Sequence, residues 1–350
     1  MWSRLPIFLL LILSGCGSPD YLADPPNRLS SFGLFAGDGT TQEPTSDVIP
    51  YDVNASLFAD YAMKRRFIKL PGGEPAQYDP AETFDMPVGT ILVKTFSYPR
   101  DARDPSLGER LLETRLLIHG KDGWGGLVYI WNFKQTDAFL EVAGHDVVAT
   151  WIDKEGDVQI NEYQIPNTNQ CKQCHTLNNE VIPIGIRARH LNREKDYADG
   201  RENQLDYWSR KGLLKGAPNS VDAPRLADYD DSESGSVDER ARAWLEINCA
   251  HCHSEGARSW NTGLDLMADE TDRSLLGIYK TPTAAGRGTG GLQYGIVPGQ
   301  PEASILMHRI MSSEPDVAMP ELGRTIVHVE GAALVEEWIR GLGEEEGEGS

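Results

Sequence analysis

The chain carries two kinds of hydrophobic pattern, one after the other. Over residues 51–165 the apolar positions fall in short runs rich in β-branched and aromatic side chains. Residues 90–96, 111–118, 127–131 and 147–152 each read as a strand, with Gly, Asp or Pro ending the runs. Gly120-Lys121-Asp122-Gly123 separates two of them and predicts a hairpin. This half is expected to form an antiparallel sandwich or small barrel.

Further along, the period changes to that of a helix. Asp206, Tyr207 and Trp208 fall in a predicted helix that exits at Leu213 and Leu214. Over 237–247, Val237, Ala241, Trp244 and Leu245 share one helical face; Ser236 is placed to cap it, with acidic residues in its first turn. Residues 332–340 repeat the pattern, Leu334 pairing with Trp338 and Val335 with Ile339. The fold class predicted is α+β, a β-rich N-terminal half followed by a mostly α-helical region. The expected organisation is a leader over 1–15, a tether and irregular lead-in over 16–50, and a β-rich domain over 51–165. Then come a first cofactor segment over 166–221, an acidic Ser-rich linker over 222–235, a helical domain over 236–343, and a disordered Glu/Gly tail over 344–350.

The leader has a single early charge at Arg4, an apolar run over 5–13 too short to span a bilayer, and then Leu13-Ser14-Gly15-Cys16. Its end resembles a bacterial lipobox, which implies cleavage before Cys16 and acylation of its sulfur. Gly17 after the cysteine points to the outer membrane. The expected location is therefore the bacterial cell envelope, facing the periplasm, with the membrane met through the lipid alone. The formal net charge of −20 opposes nucleic-acid binding, because phosphates would be repelled, and suits a partner with a basic face.

With Cys16 assigned to lipid, four of the five cysteines remain, and they fall in two identical frames. Cys171-Lys172-Gln173-Cys174-His175 and Cys249-Ala250-His251-Cys252-His253 are both Cys-x-x-Cys-His. At this spacing two thiols can form thioethers to one edge of a haem while the next histidine reaches its iron. Structural zinc or redox disulfides would also use paired cysteines, but neither demands the adjoining histidine. Two covalent c-type haems are therefore expected, with His175 and His253 as proximal ligands.

Met319-Pro320 lies between the second motif and the last predicted helix. A proline there disfavours helix and holds the Met in an extended loop, so Met319 is the expected distal ligand of the second haem. Met307, His308 and Met311 sit in a predicted helix over 304–311, and Met267 reads as packing. His251 is expected to point away from the iron, and His328 to lie at the surface. Residues 176–248 hold no Met, so the first haem needs another ligand. His190 is the candidate in that stretch, with a five-coordinate iron or a ligand from His119, His145 or Met86 as alternatives. Arg187 and Arg189 are candidates for pairing with haem propionates.

Several stretches together resemble a family of bacterial dihaem c-type cytochromes. They are Tyr51-Asp52-Val53-Asn54, residues 57–62, Pro87-Val88-Gly89-Thr90, residues 94–96, Tyr129-Ile130-Trp131-Asn132, Thr136-Asp137-Ala138, the first motif and Pro183-Ile184-Gly185. The second motif, residues 297–302, Met319-Pro320 and Glu337-Trp338-Ile339 resemble the small cytochrome c domains common in planctomycete proteins. The resemblance implies an electron carrier between redox partner proteins, an acceptor for a periplasmic dehydrogenase among them, rather than an enzyme. A dihaem peroxidase is the alternative. A second alternative is a binding module whose β domain, through Trp124, Tyr129, Trp131 and Trp151, holds a carbohydrate or a protein.

Overall fold

The computed structural model describes residues 20–348. The leader and the lipid site at Cys16 predicted above lie outside them. Six strands form one antiparallel sheet: β1 (Ile49–Tyr51), β2 (Met63–Lys69), β4 (Ile91–Pro99), β5 (Glu109–Gly120), β6 (Gly123–Trp131) and β7 (Ala138–Glu141). They are hydrogen-bonded in that order. The short β3 (Ala76–Gln77) instead pairs in parallel with Leu214–Lys215. The Gly120–Gly123 hairpin forms between β5 and β6, Gly123 taking the positive φ its turn requires. A separate hairpin, β8 (His145–Ile152) with β9 (Val158–Ile165), lies over part of the sheet. The N-terminal half is thus antiparallel and β-rich, with the sheet open rather than closed into a barrel.

The two faces of the sheet bury different partners, as the period-two geometry of strands demands. Phe67, Ile91, Val93, Leu116 and Ile118 lie under Leu29, Phe32, Leu34 and Val48. The expected lead-in over 16–50 is therefore partly a lid on one sheet face, because its apolar side chains have a surface to cover. On the other face two apolar clusters sit apart. Ile68 and Leu92 meet Ile186, Leu205 and Trp208, whereas Phe96, Leu112 and Val128 meet Ala149, Trp151 and Tyr163. Trp151, Tyr129 and Trp131 are all buried core, so these aromatics offer no exposed binding platform.

The second half contains α1 (Thr168–His175), α2 (Ala188–Leu191), α3 (Gln204–Arg210), α4 (Val237–Leu245), α5 (Ile305–Ile310) and α6 (Val329–Glu348). Ser236 caps α4 in a full capping box with Glu239. The segment 166–221 is less helical than expected, since two-stranded ladders at Thr176–Leu177 with Glu180–Val181 and at Glu194–Tyr197 with Gly200–Asn203 fill much of it. Helix α6 runs into the Glu/Gly tail that was expected to be disordered. Gly343 there lies so near Gly299 that a Cβ would stand 2.7 Å from the Gly299 Cα.

The expected linker over 222–235 is not free either. Leu226 and Tyr229 are buried in the core of α4 and α6. Residues 52–62 tie both halves to that core. Phe58 N–H donates to Asn248 Oδ1 at 2.8 Å, and Asn54 N–H to the His190 carbonyl at 2.8 Å. The buried Asp60 carboxylate accepts from Thr325 N–H at 2.7 Å and Ile326 N–H at 3.1 Å. Among the described residues no helix is long and apolar enough to cross a membrane.

Candidate functional site

Helix α1 is one short stretch, and its spacing puts Cys171, Cys174 and His175 on one side, since positions three and four apart are helical neighbours. Asn167 and Gln170 cap it reciprocally. The helix lies over β6, where Gly126 leaves room for Cys171; a Cβ on Gly126 would already touch the Cys171 Cβ at 3.8 Å. After α1 the chain turns back through Asn178 and Asn179, both at positive φ. That turn brings Ile182 to His175 twice: Ile182 N–H donates to the His175 carbonyl at 2.7 Å, and His175 Nδ1 lies 2.8 Å from the Ile182 carbonyl. A carbonyl can only accept, so Nδ1 carries the proton and Nε2 keeps a free lone pair. Burial pushes the His175 pKa down to about 4, so the ring is neutral and able to ligate.

The second motif has a different setting and the same outcome. Helix α4 loosens into one π-helical turn over Glu246–Ala250, a device often found at functional sites. His253 Nδ1 lies 3.2 Å from Thr262 Oγ, whose own proton is committed to the Ser259 carbonyl at 2.7 Å. Thr262 must therefore accept from the imidazole, which again leaves Nε2 free. Burial lowers the His253 pKa to about 4 as well. Neither Nε2 has a protein partner among the described residues. Orientation of a ligand histidine through its other nitrogen is the usual support for metal binding.

The two motifs meet. Arg258 Nη1 donates to Gln173 Oε1 at 2.7 Å, Asn178 N–H to the Gly256 carbonyl at 2.9 Å, and Leu177 bridges to Ala257. Cys174 and Cys252 lie near enough to influence each other's charge, which favours ionising Cys174 and strongly opposes ionising Cys252. Burial raises Cys249 to about 12 and shifts Cys171 upward too. None of these four cysteines is in a disulfide. Among the described residues no cluster of three or more His, Cys, Asp or Glu side chains is arranged to hold a metal ion by itself.

No family model, curated protein or solved structure matches this chain.

A cavity with about 1690 Å³ of space between side chains, part of it open to solvent, lies against the first motif. Cys171, Cys174, His175 and Met319 line it, with Val53, Leu57, Ile184 and Ile247 giving apolar walls and the sheet giving a floor. Met319, expected opposite His253, is on the wall that His175 shares, whereas Cys249, Cys252 and His253 do not line this space. Its loop is held by Arg324, whose Nη2 donates to the carbonyls of Met319 and Ser312, each at 2.8 Å. The Met319-Pro320 bond is cis.

His251, from the second motif, also lines the cavity, beside Cys174; its Nδ1 is buried without a hydrogen-bond partner among the described residues. His328, expected at the surface, is 8% exposed and stacks on Phe58 with ring centroids 4.3 Å apart. Its Nδ1 accepts from Trp244 Nε1–H at 2.9 Å.

His190 does not line the His175 cavity. It is buried with Nε2 2.8 Å from Glu246 Oε1, in a network where Arg189 pairs with both Glu246 and Asp269 at 3.0 Å. Burial opposes the Glu246 charge, but the hydrogen bond from His190 and the Arg189 charge outweigh it and lower its pKa to about 2. Arg187 pairs with Glu82 at 3.2 Å. Both arginines expected at propionates thus already have carboxylate partners within the chain. The remaining candidates lie away from the cavity. Met86 and Met307 are core, His145 and Met311 are exposed, and His119 stacks on Trp124 with Nδ1 2.7 Å from the Met86 carbonyl.

Proposed function

We propose that this chain carries two covalently attached c-type haems and passes electrons between partner proteins in the bacterial envelope. The observation that carries the reading is the pair of histidines, each next to a Cys-x-x-Cys pair, each neutral, and each with Nδ1 committed to a protein acceptor. Cys171 and Cys174 would tether one haem with His175 as proximal ligand, and Cys249 and Cys252 the other with His253. A bound haem supplies a one-electron couple at its iron.

The chain's own residues do the rest. Ile182 and Thr262 orient the two imidazoles. The hydrogen bonds from Arg258 to Gln173 and from Asn178 to Gly256 hold the two motifs side by side, which suits passage of an electron from one site to the other. Met319 is the thioether available on the His175 cavity wall, and a Met ligand would favour a higher potential than a second histidine. The cytochrome c-like character of residues 236–343, the lipid anchor at Cys16, the outer-membrane location and a dehydrogenase as electron donor belong to this same proposal. The strong negative charge suits docking on a basic partner.

The reading is tested by a pyridine haemochrome assay and a redox titration of the protein made in a host that attaches c-type haem. Two haems per chain and two one-electron steps are expected. A protein whose haems stay oxidised across the whole range of potential, or which carries none, would contradict it.

A further inference from the structure

The floor of the cavity carries an arrangement that sheets avoid. In the register of the sheet Arg66 on β2 faces Lys94 on β4, and Lys94 faces Arg115 on β5. The three side chains therefore stand in a row on one face. Like charges directly opposite one another across strands destabilise a sheet. The row also lies between the two apolar clusters of that face.

Among the described residues, Arg115 alone of the three pairs with a carboxylate. Glu113, two residues before it and fully buried, takes its Nε at 2.8 Å. Arg66 is 9% exposed and, among the described residues, its side chain hydrogen-bonds to the Ser56 hydroxyl alone, at 3.0 Å. Among the described residues Lys94 has no hydrogen-bond or ion-pair partner; its Nζ lies 5.0 Å from the centre of the Phe96 ring. A buried cation such as Arg66 without a counter-charge is costly, and the half-buried Lys94 beside it adds to the cost. All three line the cavity that holds Cys171, Cys174 and His175.

We infer that Arg66 and Lys94, with Arg115 beside them, form the seat for the propionate carboxylates of the haem attached at Cys171 and Cys174. The inference rests on the haem reading above and names the anion that this row is built to meet. Haem fits both halves of the surroundings: a flat apolar body for the walls of Val53, Ile184 and Ile247, and carboxylates for the cationic floor. It also replaces Arg187 and Arg189, whose guanidiniums are spoken for. A cation held near an iron disfavours the ferric state, so the row would raise the potential of this haem.

The test is made on the full haem-loaded protein with Lys94→Met and, separately, Arg66→Met. Lys121→Met, at an exposed lysine, serves as the control for loss of a charge. Haem count, the potential of each haem and the propionate bending band in the resonance Raman spectrum are read together. Two haems are expected to remain, with one potential lowered by roughly tenfold in the ferric–ferrous equilibrium, about 59 mV for one electron. The other potential should hold, and the Raman band should shift. If Lys94→Met does not accumulate, Lys94→Arg with the Arg66 variant gives the same discrimination, the first keeping the potential and the second lowering it. Two haems with unmoved potentials and an unmoved band would overturn the seat while leaving the haem reading intact. A wild-type protein without haem would instead remove both.

Discussion

The same five-residue chemistry occurs twice in this chain, in two unlike surroundings. The first motif rides on a short helix laid across a sheet, above a row of cations, with Cys171 packed against a strand cluster. The second grows from a π-helical turn at the end of α4, with Cys249 packed against the core that α4 and α6 share. The histidines nonetheless reach the same state by different means, one through a backbone carbonyl and the other through a hydroxyl. On the proposed haem reading, the motif would specify attachment, whereas the ground beneath it would specify charge and polarity, and hence potential.

The largest effect expected is on haem content. Cys171→Ala with Cys174→Ala should leave one haem per chain, and Cys249→Ala with Cys252→Ala should do the same, each measured by haemochrome assay. If either pair abolishes both haems, the two sites are not independent and the comparison fails. Next is the tie between them. Glu246 belongs to the second motif's turn but pairs with Arg189 and hydrogen-bonds to His190, which follow the first motif. Glu246→Gln should cost about 3–5 kcal/mol in a denaturant titration, because the largely buried Arg189 loses its buried carboxylate partner.

The pH dependence carries a defined sign. Glu246 has a folded pKa of about 2 against an ordinary 4.5, so its contribution is fully present above 4.5 and is lost as pH falls toward 2. Glu246→Gln should flatten that acid limb of the stability profile; an unchanged limb would show that other carboxylates set it.

A smaller effect is expected at Gly331, where a Cβ would stand 2.1 Å from Trp244 Nε1 and 2.5 Å from His328 Nδ1. Gly331→Ala should destabilise the protein by roughly 1–3 kcal/mol through overpacking and lower its melting temperature. It should disturb the α4–α6 side while leaving the environment of Trp151, in the β hairpin, unchanged by near-ultraviolet spectroscopy. The smallest effects belong to the caps. Asn167→Ala and Ser236→Ala should each cost about 1 kcal/mol. The loss at Asn167 should show more in haem attachment, because α1 is the shorter helix and carries a whole motif.

Much of this was readable from the sequence where a local pattern suffices. The strands over 90–96, 111–118, 127–131 and 147–152, the Gly120–Gly123 turn and the Ser236 cap all form where alternation, turn chemistry and capping place them. What escaped is set by contacts distant in sequence. Lys94 is a lone charge in an apolar run, and that oddity was its only signal; the register that aligns it with Arg66 and Arg115 is invisible in one strand. His190 could not be seen to need Glu246, which lies 56 positions on. His328 is buried because Phe58, from the far end of the chain, stacks on it. The polar linker is buried through two residues, Leu226 and Tyr229, among many that are not.

The central claim is tested most directly by peptide mapping with mass spectrometry of the mature protein, made in a host that attaches c-type haem. The account predicts one haem mass on the peptide bearing Cys171 and Cys174 and a second on the peptide bearing Cys249 and Cys252. Unmodified cysteines on both peptides, or a disulfide joining Cys174 to Cys252 in their place, would contradict it.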